Sequence, residues 1–283
     1  MNAKLVEFVN RVQDLPAVPA VAASIAGLVE QPNTSADDLR KVIERDPGLA
    51  TRILKIANSS LYGFSRQIET LQHAIAIIGF RAVRNVVMAA SLKGTFKRFG
   101  LAEKILWEHA TVASGLAAAL ARYGSVQVDR DEAFTAGLLH DLGKIALSNS
   151  APDVYQRVME RVYNEGRSFV DVEREELGFD HAELGAEVAA KWKLPAKLQA
   201  AILHHHSPDV IPTLAGDVQR LTAVVAVTTA CCTRVGIGRR APVQGLDLKS
   251  LPTWSLLDLT PADVEPILTL AMDQVKESMD AFA

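Results

Sequence analysis

Apolar residues recur along this chain at the three- and four-residue spacing of an α-helix, and polar caps and glycines divide the pattern into segments. Ser35 followed by Asp38 is typical of a capping box, which predicts a helix that ends near Ile43. Asp46 and Pro47 predict the start of a second helix with apolar residues along one side. Further helices are predicted over residues 70–78, 81–92, 103–123, 130–148, 153–165, 168–177, 180–192, 195–206, 218–236 and 261–281.

Strand signals are nearly absent from the sequence. The run Val224–Thr229 is rich in β-branched residues, but it lies in a longer apolar stretch without alternation, so we interpret it as buried helix. The segment 237–259 is the longest predicted irregular stretch. The pattern predicts an all-α protein with an N-terminal helical lobe (1–100), a second helical lobe (101–236), and a loop with a C-terminal helix (237–283).

Composition restricts the kind of protein. Hydrophobic residues make up 49% of the 283 residues, enough to bury a core, and the net charge of -3 argues against a nucleic-acid binder. No uncharged apolar run is long enough for a membrane span, and the N-terminus lacks a signal-peptide core, so we expect a soluble cytoplasmic protein. Cys231 and Cys232 are adjacent, and adjacent cysteines rarely form a disulfide or a CxxC-type metal site.

Six of the seven histidines fall between residues 109 and 206, and most lie on apolar helical faces. His109, His181 and His205 share the spacing of core residues, so we expect them to point inward. His206 flanks the same helical face as His205, whereas His204 falls on the more polar, solvent-facing side. Taken singly, each inward histidine is interpreted as hydrogen-bonded core rather than as a ligand.

The segment 133–147 changes that interpretation. It is apolar on nearly every side, which predicts a fully buried helix, yet it carries His140, Asp141 and Lys144. A buried carboxylate is costly unless it is paired or binds a metal. An Asp141–Lys144 ion pair on one helical turn is the structural alternative, but it leaves the inward histidines unexplained. Imidazoles and a carboxylate from separate helices are typical ligands of zinc, iron and manganese, so we predict a metal centre.

These residues resemble the motifs of the HD superfamily of metal-dependent phosphohydrolases, most closely its HD-GYP branch. The run from His140 to Lys144 is similar to the HDxGK motif of that branch, and the run from Asp180 to Gly185 is similar to its next motif. The N-terminal third resembles the HDOD domain, in a match that covers about residues 10–215. The residues that carry it are Leu15-Pro16, Pro19, Glu44-Arg45-Asp46-Pro47, Ala57-Asn58-Ser59-Ser60, Tyr62-Gly63 and Ala74 through Gly79. The chain is therefore identified as a member of the HDOD family, with an HD-like helical bundle.

The resemblance implies metal ligands for one or two divalent ions of iron, manganese or zinc. The implied ligands are His109, His140, Asp141, His181, His205 and His206. In an active relative Asp141 would bridge two ions, and Lys144 could contact a phosphate. Thr229 stands where the final HD aspartate is expected, Ile105 replaces the HD-GYP glutamate, and no Gly-Tyr-Pro signature follows His206. The ligand group formed by Asp141 and the last three histidines is still complete despite these losses. The losses weigh against hydrolysis that needs two ions, so no catalytic residue is assigned.

The sequence therefore favours a bacterial regulatory HDOD protein without catalysis, whose partly retained metal site acts as a scaffold or ligand sensor. A metal-dependent phosphohydrolase acting on a nucleotide or cyclic dinucleotide is the alternative, and a metal- or redox-sensing module is a third interpretation. Expected partners are signalling proteins, a nucleotide ligand and a second copy of the chain, with no membrane. The basic residues between 81 and 98 are interpreted as a solvated face rather than as an anion-binding site.

Overall fold

The computed structural model describes residues 2–11, 20–29, 31, 33–44, 49–51, 53–54, 58, 67–93, 95–96, 100–239 and 241–282. In chain order the helices are α1 (Ala3–Arg11), α2 (Ala20–Val29), α3 (Ala36–Ile43), α4 (Leu71–Lys93), α5 (Leu101–Leu120), α6 (Arg130–Leu139), α7 (Leu142–Ser150), α8 (Pro152–Glu165), α9 (Phe169–Leu177), α10 (His181–Lys191), α11 (Ala196–His204), α12 (Gly216–Val235), α13 (Pro252–Leu256) and α14 (Val264–Phe282). The described residues contain no β-strand, which confirms the all-α prediction. None of the helices among them is both long and apolar enough to cross a membrane.

The chain forms two compact units. The large unit consists of Met1–Ala17 and Phe96–Gln274, and the small unit consists of Val18–Thr95 and Val275–Ala283. Each has buried apolar side chains of its own, such as Leu116 and Val224 in the large unit and Leu39 and Ile75 in the small one. The lobe boundaries at residues 100 and 236 stay predictions.

In the small unit, the predicted capping box at Ser35 and the predicted helix boundary near Gly79 are both observed. Ser35 and Asp38 form the capping box at the start of α3: the Ser35 hydroxyl accepts a hydrogen bond from the Asp38 N–H at 3.2 Å, and the Asp38 carboxylate accepts one from the Ser35 N–H at 3.0 Å. Gly79 interrupts α4 with φ 81° and ψ 162°, a conformation that favours glycine. This break confirms the predicted boundary between the helices over 70–78 and 81–92.

Several predictions fall outside the described residues. They concern the helix start at Asp46-Pro47 and the basic residues Lys97 and Arg98, together with the HDOD positions Leu15, Pro16, Pro19, Arg45, Ala57, Ser59, Ser60, Tyr62 and Gly63. Within the described part of that region, residues 49–51 and 53–54 are helical and Ile53 is buried. The apolar stripe predicted there is thus present as far as the structure describes it.

In the large unit, α5 and α6 pack against each other through small residues. A Cβ added to Gly137 would lie 2.7 Å from the backbone oxygen of Ala113, so only a glycine permits this approach. Residues 109–118 of α5 are all buried, which places His109 in the interior as predicted. The bundle therefore presents a histidine of α5 to its core.

The prediction of one continuous helix over 130–148 is wrong. The chain breaks between α6 and α7 at His140 and Asp141, where Asp141 has φ -97° and ψ 19°. Consecutive side chains on an unbroken helix point about 100° apart, so the break allows His140 and Asp141 to face the same interior space. The predicted burial is confirmed, since every residue from 133 to 148 is buried.

The predicted helix over 218–236 is observed as α12, and it contains Val224–Thr229 as interpreted. Cys231 and Cys232 are buried free thiols on this helix, and burial raises the pKa of Cys231 to about 12. The segment 237–259 is irregular except for a 3-10 turn over Leu248–Ser250 and the five-residue α13. Residues 237–239 line a cavity beside the histidines.

Candidate metal centre

Asp141 lies at the centre of a buried cluster of imidazole rings in the large unit. It is 3% exposed, and its two carboxylate oxygens face different histidines. Oδ2 lies 3.4 Å from Nε2 of His109 and 3.4 Å from Nε2 of His140. Oδ1 lies 3.2 Å from Nε2 of His181 and 3.9 Å from Nε2 of His205. One carboxylate therefore joins two sets of candidate ligands.

The first set consists of His109, His140 and Oδ2 of Asp141, and it forms a tight triangle. The Nε2 atoms of the two histidines are 3.2 Å apart, and their rings meet edge to face with centroids separated by 5.1 Å. Ligand atoms around an ion with bonds of about 2.1 Å are about 3.0–3.4 Å from each other. The triangle has the dimensions that one ion requires.

The second set has four members, Asp141, His181, His205 and His206, and one ligand atom from each lies within 4.8 Å of all the others. His181 and His205 are buried, whereas His206 is exposed at the edge of the cluster. The structure thus brings all six predicted ligands together in two sets. His204, which was expected on the solvent-facing side, is partly exposed and belongs to neither set.

Hydrogen bonds on the far side of three rings fix which nitrogen faces Asp141. Nδ1 of His140 lies 2.7 Å from the carbonyl oxygen of Gly137, and Nδ1 of His205 lies 2.6 Å from that of Ile202. A carbonyl can only accept, so each Nδ1 carries the hydrogen and the Nε2 of each neutral ring presents a lone pair. Backbone oxygens thus hold two imidazoles in the tautomer that a metal ion binds.

The third ring is oriented by a carboxylate. Nδ1 of His181 lies 2.6 Å from Oε2 of Glu173, and the backbone N–H of His181 donates to the same oxygen at 2.8 Å. Glu173 is 0% exposed. A carboxylate behind a histidine is a common arrangement in metal sites, where it orients the ring and makes it a stronger ligand.

Three polar atoms at the centre of the cluster have no hydrogen-bond partner among the residues that the structure describes. They are Oδ1 of Asp141 and Nε2 of His181 and of His205. A buried polar atom without a partner costs about 1–3 kcal/mol, and the Nε2 lone pair of the neutral His205 ring repels the carboxylate that it faces. A cation between these atoms would satisfy all three. The residues present therefore fit a divalent ion that accepts nitrogen and oxygen ligands.

The electrostatics of the cluster favour a positive charge at its centre. Burial by itself lowers the pKa of His181, but the charges of Glu173 and Asp141 outweigh it and raise the pKa to about 9. Burial lowers the pKa of His109 to about 3 and also lowers that of His140, so both rings are neutral. Burial opposes ionisation of Asp141, yet the Lys144 ammonium and the interaction with His181 hold its pKa well below the usual range. A metal ion would displace the proton that this environment holds on His181.

Lys144 forms the ion pair that was the structural alternative to a metal site, and the pair coexists with the ligand cluster. Its Nζ lies 2.8 Å from Oδ2 of Asp141 and 4.3 Å from the centroid of the Phe169 ring. The ammonium is therefore held by a carboxylate and by an aromatic face while it is 7% exposed. The ammonium contacts Oδ2 of Asp141, which is the oxygen that faces the first set. The first set therefore already has a cation beside it.

Thr229 and Ile105, the two departures from the family pattern, line the same cavity as His109 and Asp141. The Thr229 hydroxyl donates a hydrogen bond to the carbonyl oxygen of Val225 at 3.0 Å, within α12. A neutral hydroxyl brings no charge to a divalent ion, and Ile105 brings no polar atom. The first set therefore has three ligand groups, and the second has four.

Two glycines allow α7 and α10 to cross closely enough to build the site. A Cβ on Gly143 would lie 1.9 Å from the backbone oxygen of His181, and a Cβ on Gly185 would lie 3.0 Å from the backbone nitrogen of Gly143. Only residues without side chains fit at this crossing. Because Asp141 lies two residues before Gly143, the close crossing places its carboxylate next to His181.

Gly143→Ala is expected to lower the free energy of unfolding by about 2–3 kcal/mol, because the added methyl forces α7 and α10 apart. It should also weaken metal binding, since His181 moves away from Asp141. Denaturant unfolding and metal titration measure the two effects. Gly27→Ala in α2 is the matched control, because nothing lies within 4 Å of its Cβ, and we expect it to be neutral or stabilising by up to about 1 kcal/mol. An unchanged stability of Gly143→Ala would contradict the close crossing.

Glu173 is the site residue that the sequence reasoning missed. It lies four residues after Phe169 and next to Val172, on the buried face of the predicted helix 168–177, which is observed as α9. A carboxylate on the apolar face of an amphipathic helix needs a buried partner. The position of Glu173 on the apolar face therefore indicated that it has a buried partner. That partner is His181.

A helical bundle whose buried aspartate is surrounded by histidines from separate helices defines a protein with an HD-type site. This chain belongs to the HDOD family, whose domain model matches residues 15–208. The structure of an HDOD domain protein of unknown function from Geobacter sulfurreducens is similar, with a TM-score of 0.82 and 25% identity over 98% of this chain and 96% of that one. The fold is shared with a candidate phosphohydrolase from Shewanella amazonensis SB2B, with a TM-score of 0.68 and 22% identity over 98% of each chain.

A curated relative of uncharacterised function comes from Treponema pallidum (strain Nichols). It is 26% identical over 200 residues, which make up 70% of this chain and 39% of that protein. The chain thus spans about two fifths of the length of this relative. A candidate signal-transduction protein from Marinobacter aquaeolei VT8 also shares the fold, with a TM-score of 0.73 and 20% identity over 99% of this chain and 63% of that one.

Proposed function

We propose that this chain is a bacterial, cytoplasmic regulatory HDOD protein in which one divalent metal ion forms part of a ligand-sensing scaffold, without hydrolysis. The observation that carries this proposal is the asymmetry between the two ligand sets around Asp141. The second set has four ligand groups and the support of Glu173 behind His181. The first set has three groups and no second carboxylate.

Lys144 makes the first set a poor place for an ion. Its ammonium lies 2.8 Å from Oδ2 of Asp141, the oxygen that an ion bound to His109 and His140 would share. Two cations on one oxygen repel each other strongly in a buried site, and Thr229 supplies no charge to compensate. We therefore propose that Lys144 replaces the second ion and that only the second set binds metal.

Imidazole nitrogens with one carboxylate suit iron, manganese or zinc, and these are the ions we propose. Two-metal hydrolysis positions the attacking and leaving oxygens between two ions about 3.5–4 Å apart, which a single-ion site does not provide. The proposed output is therefore a change in contacts with signalling proteins or with a second copy of the chain. A bound nucleotide is the proposed input.

Thr229→Asp tests the proposed loss of the second ion. The added carboxylate supplies the missing charge beside His109 and Asp141, so we expect metal content to rise from about one to about two ions per chain. Elemental analysis of protein dialysed against each metal measures the content, and Thr228→Asn, also a buried position of α12 but without a charge, controls for the substitution itself. About two ions in the unaltered protein would contradict the proposal.

A metal-dependent phosphohydrolase is the second candidate function, and one observation favours it. The two oxygens of Asp141 face opposite histidine sets, as a carboxylate that bridges two ions would. Release of phosphate or of a linear dinucleotide from a panel of nucleotides and cyclic dinucleotides tests this function. Turnover by the unaltered protein that disappears in His140→Ala would establish it and overturn the regulatory proposal.

A further inference from the structure

A cavity of about 370 Å³ lies in the large unit beside the metal centre. Asp141 and His206 line one part of it, and residues of α5, α7, α8, α9 and α12 and the segment after α12 supply the rest. Small-molecule sites in proteins span about 300–1,000 Å³. The volume therefore suits one compact ligand that would lie next to the metal ligands.

Two of the three cationic side chains that line the cavity are paired with carboxylates. Lys144 contacts Asp141 at 2.8 Å, and Arg174 contacts Asp180 at 2.7 Å. These pairs leave little positive charge for a ligand. The third cation, Arg239, therefore determines the charge of the ligand that the cavity can bind.

Arg239 has no carboxylate partner among the residues that the structure describes. Its Nη2 donates to the carbonyl oxygen of Arg167 at 3.4 Å, which leaves N–H groups of the guanidinium for a ligand. Asp171 also lines the cavity; its carboxylate accepts a hydrogen bond from the Ser168 hydroxyl at 2.7 Å at the start of α9 and forms no ion pair with Arg239. A guanidinium fork that no carboxylate occupies is suited to an anion such as phosphate.

The wall beside Arg239 is aromatic and apolar. The rings of Tyr163 and Phe169 meet edge to face with centroids 6.5 Å apart, and Ile105 and Ile237 also line the cavity. The Tyr163 hydroxyl lies 3.3 Å from the carbonyl oxygen of Gly238, to which it donates, so α8 holds the segment that carries Arg239. Such a wall suits a flat, largely apolar group.

We infer that this cavity binds a nucleoside monophosphate, with its phosphate on Arg239 and its base along the wall formed by Tyr163 and Ile237. This inference rests on the proposed function, because it names the ligand that the regulatory site senses. A cyclic dinucleotide carries two bases and two phosphates, whereas the cavity offers one unpaired arginine and a volume near the lower limit for a ligand site. Arg239 is thus the residue that determines specificity for a phosphomonoester.

Isothermal titration of the 283-residue chain loaded with metal tests the inference. The probes are adenosine and guanosine monophosphate, the two nucleosides, inorganic phosphate and a cyclic dinucleotide. We expect a monophosphate to bind most tightly and Arg239→Ala to weaken it about 10- to 100-fold, the loss typical for hydrogen bonds to a charged group. Arg239→Lys should bind with intermediate affinity because it keeps the charge but not the fork. Arg157→Ala, an exposed arginine of α8, is the matched control and should bind like the unaltered protein.

Binding of neither monophosphate, equal affinity in Arg239→Ala, or tighter binding of the cyclic dinucleotide would overturn the inference. Metal content measured on the same samples separates this failure from failure of the proposed function, because Arg239 belongs to neither ligand set. A protein that retains one ion but binds no monophosphate contradicts only the inference. A protein without metal whose monophosphate binding depends on Arg239 contradicts only the metal-based proposal.

Discussion

Asp141→Asn is expected to lower the affinity for a divalent metal ion by more than about 100-fold, which exceeds the effect typical of residues behind the ligands. Asp141 is the only carboxylate in either ligand set, so the amide removes the one negative charge that would contact the ion. The free energy of unfolding should also fall by about 3 kcal/mol, because buried Lys144 loses its ionic partner. Metal titration with a competing chelator and denaturant unfolding measure the two quantities.

A second substitution separates these two effects of Asp141. In Asp141→Asn combined with Lys144→Met, no buried charge is left without a partner, so we expect most of the lost stability to return. Metal affinity should stay low because the carboxylate is still absent. Metal affinity close to that of the unaltered protein in either variant would show that Asp141 does not ligate the ion.

Glu173→Gln is expected to weaken metal binding about 10- to 100-fold without removing any ligand. The neutral amide no longer stabilises positive charge on His181, and its NH₂ group can turn toward Nδ1 and disturb the ring orientation. The pKa of His181 should fall from its value of about 9, because the charge of Glu173 is the main influence that raises it. Metal titration gives the affinity, and the ring proton signals in a pH titration by NMR give the pKa.

Glu176→Gln is the matched control on the same helix. Glu176 pairs with Arg161 at 2.7 Å on the surface, where an ion pair contributes about 0–1 kcal/mol to stability. We expect metal affinity and the pKa of His181 to be unchanged in this variant. Equal metal affinities for Glu173→Gln and Glu176→Gln would mean that the hydrogen bond to His181 has no part in metal binding.

Much of the fold followed from local sequence signals. The capping box at Ser35 and the interruption at Gly79 appear where they were predicted, because both depend on interactions within a few residues. The inward positions of His109, His181 and His205 followed from helical spacing in the same way. Periodicity is sufficient where one face of a helix is buried and the other is exposed.

The break between His140 and Asp141 did not follow from the sequence. The segment is apolar on nearly every side, so its periodicity does not indicate where a helix ends. The break depends on the crossing of α7 and α10, which Gly143 permits through contact with His181, a residue distant in sequence. Glu173 was missed for a related reason, since its partner is known only once α9 and α10 are placed.

Anomalous diffraction from crystals of the protein purified without added metal distinguishes a one-ion site from a two-ion site. We expect one anomalous peak, between Oδ1 of Asp141 and the Nε2 atoms of His181 and His205. No peak is expected between His109 and His140, where Lys144 already contacts Oδ2 of Asp141. A peak of equal height in both sets, or metal-free rings around Asp141 in protein that was saturated with iron, manganese and zinc, would contradict the one-ion site.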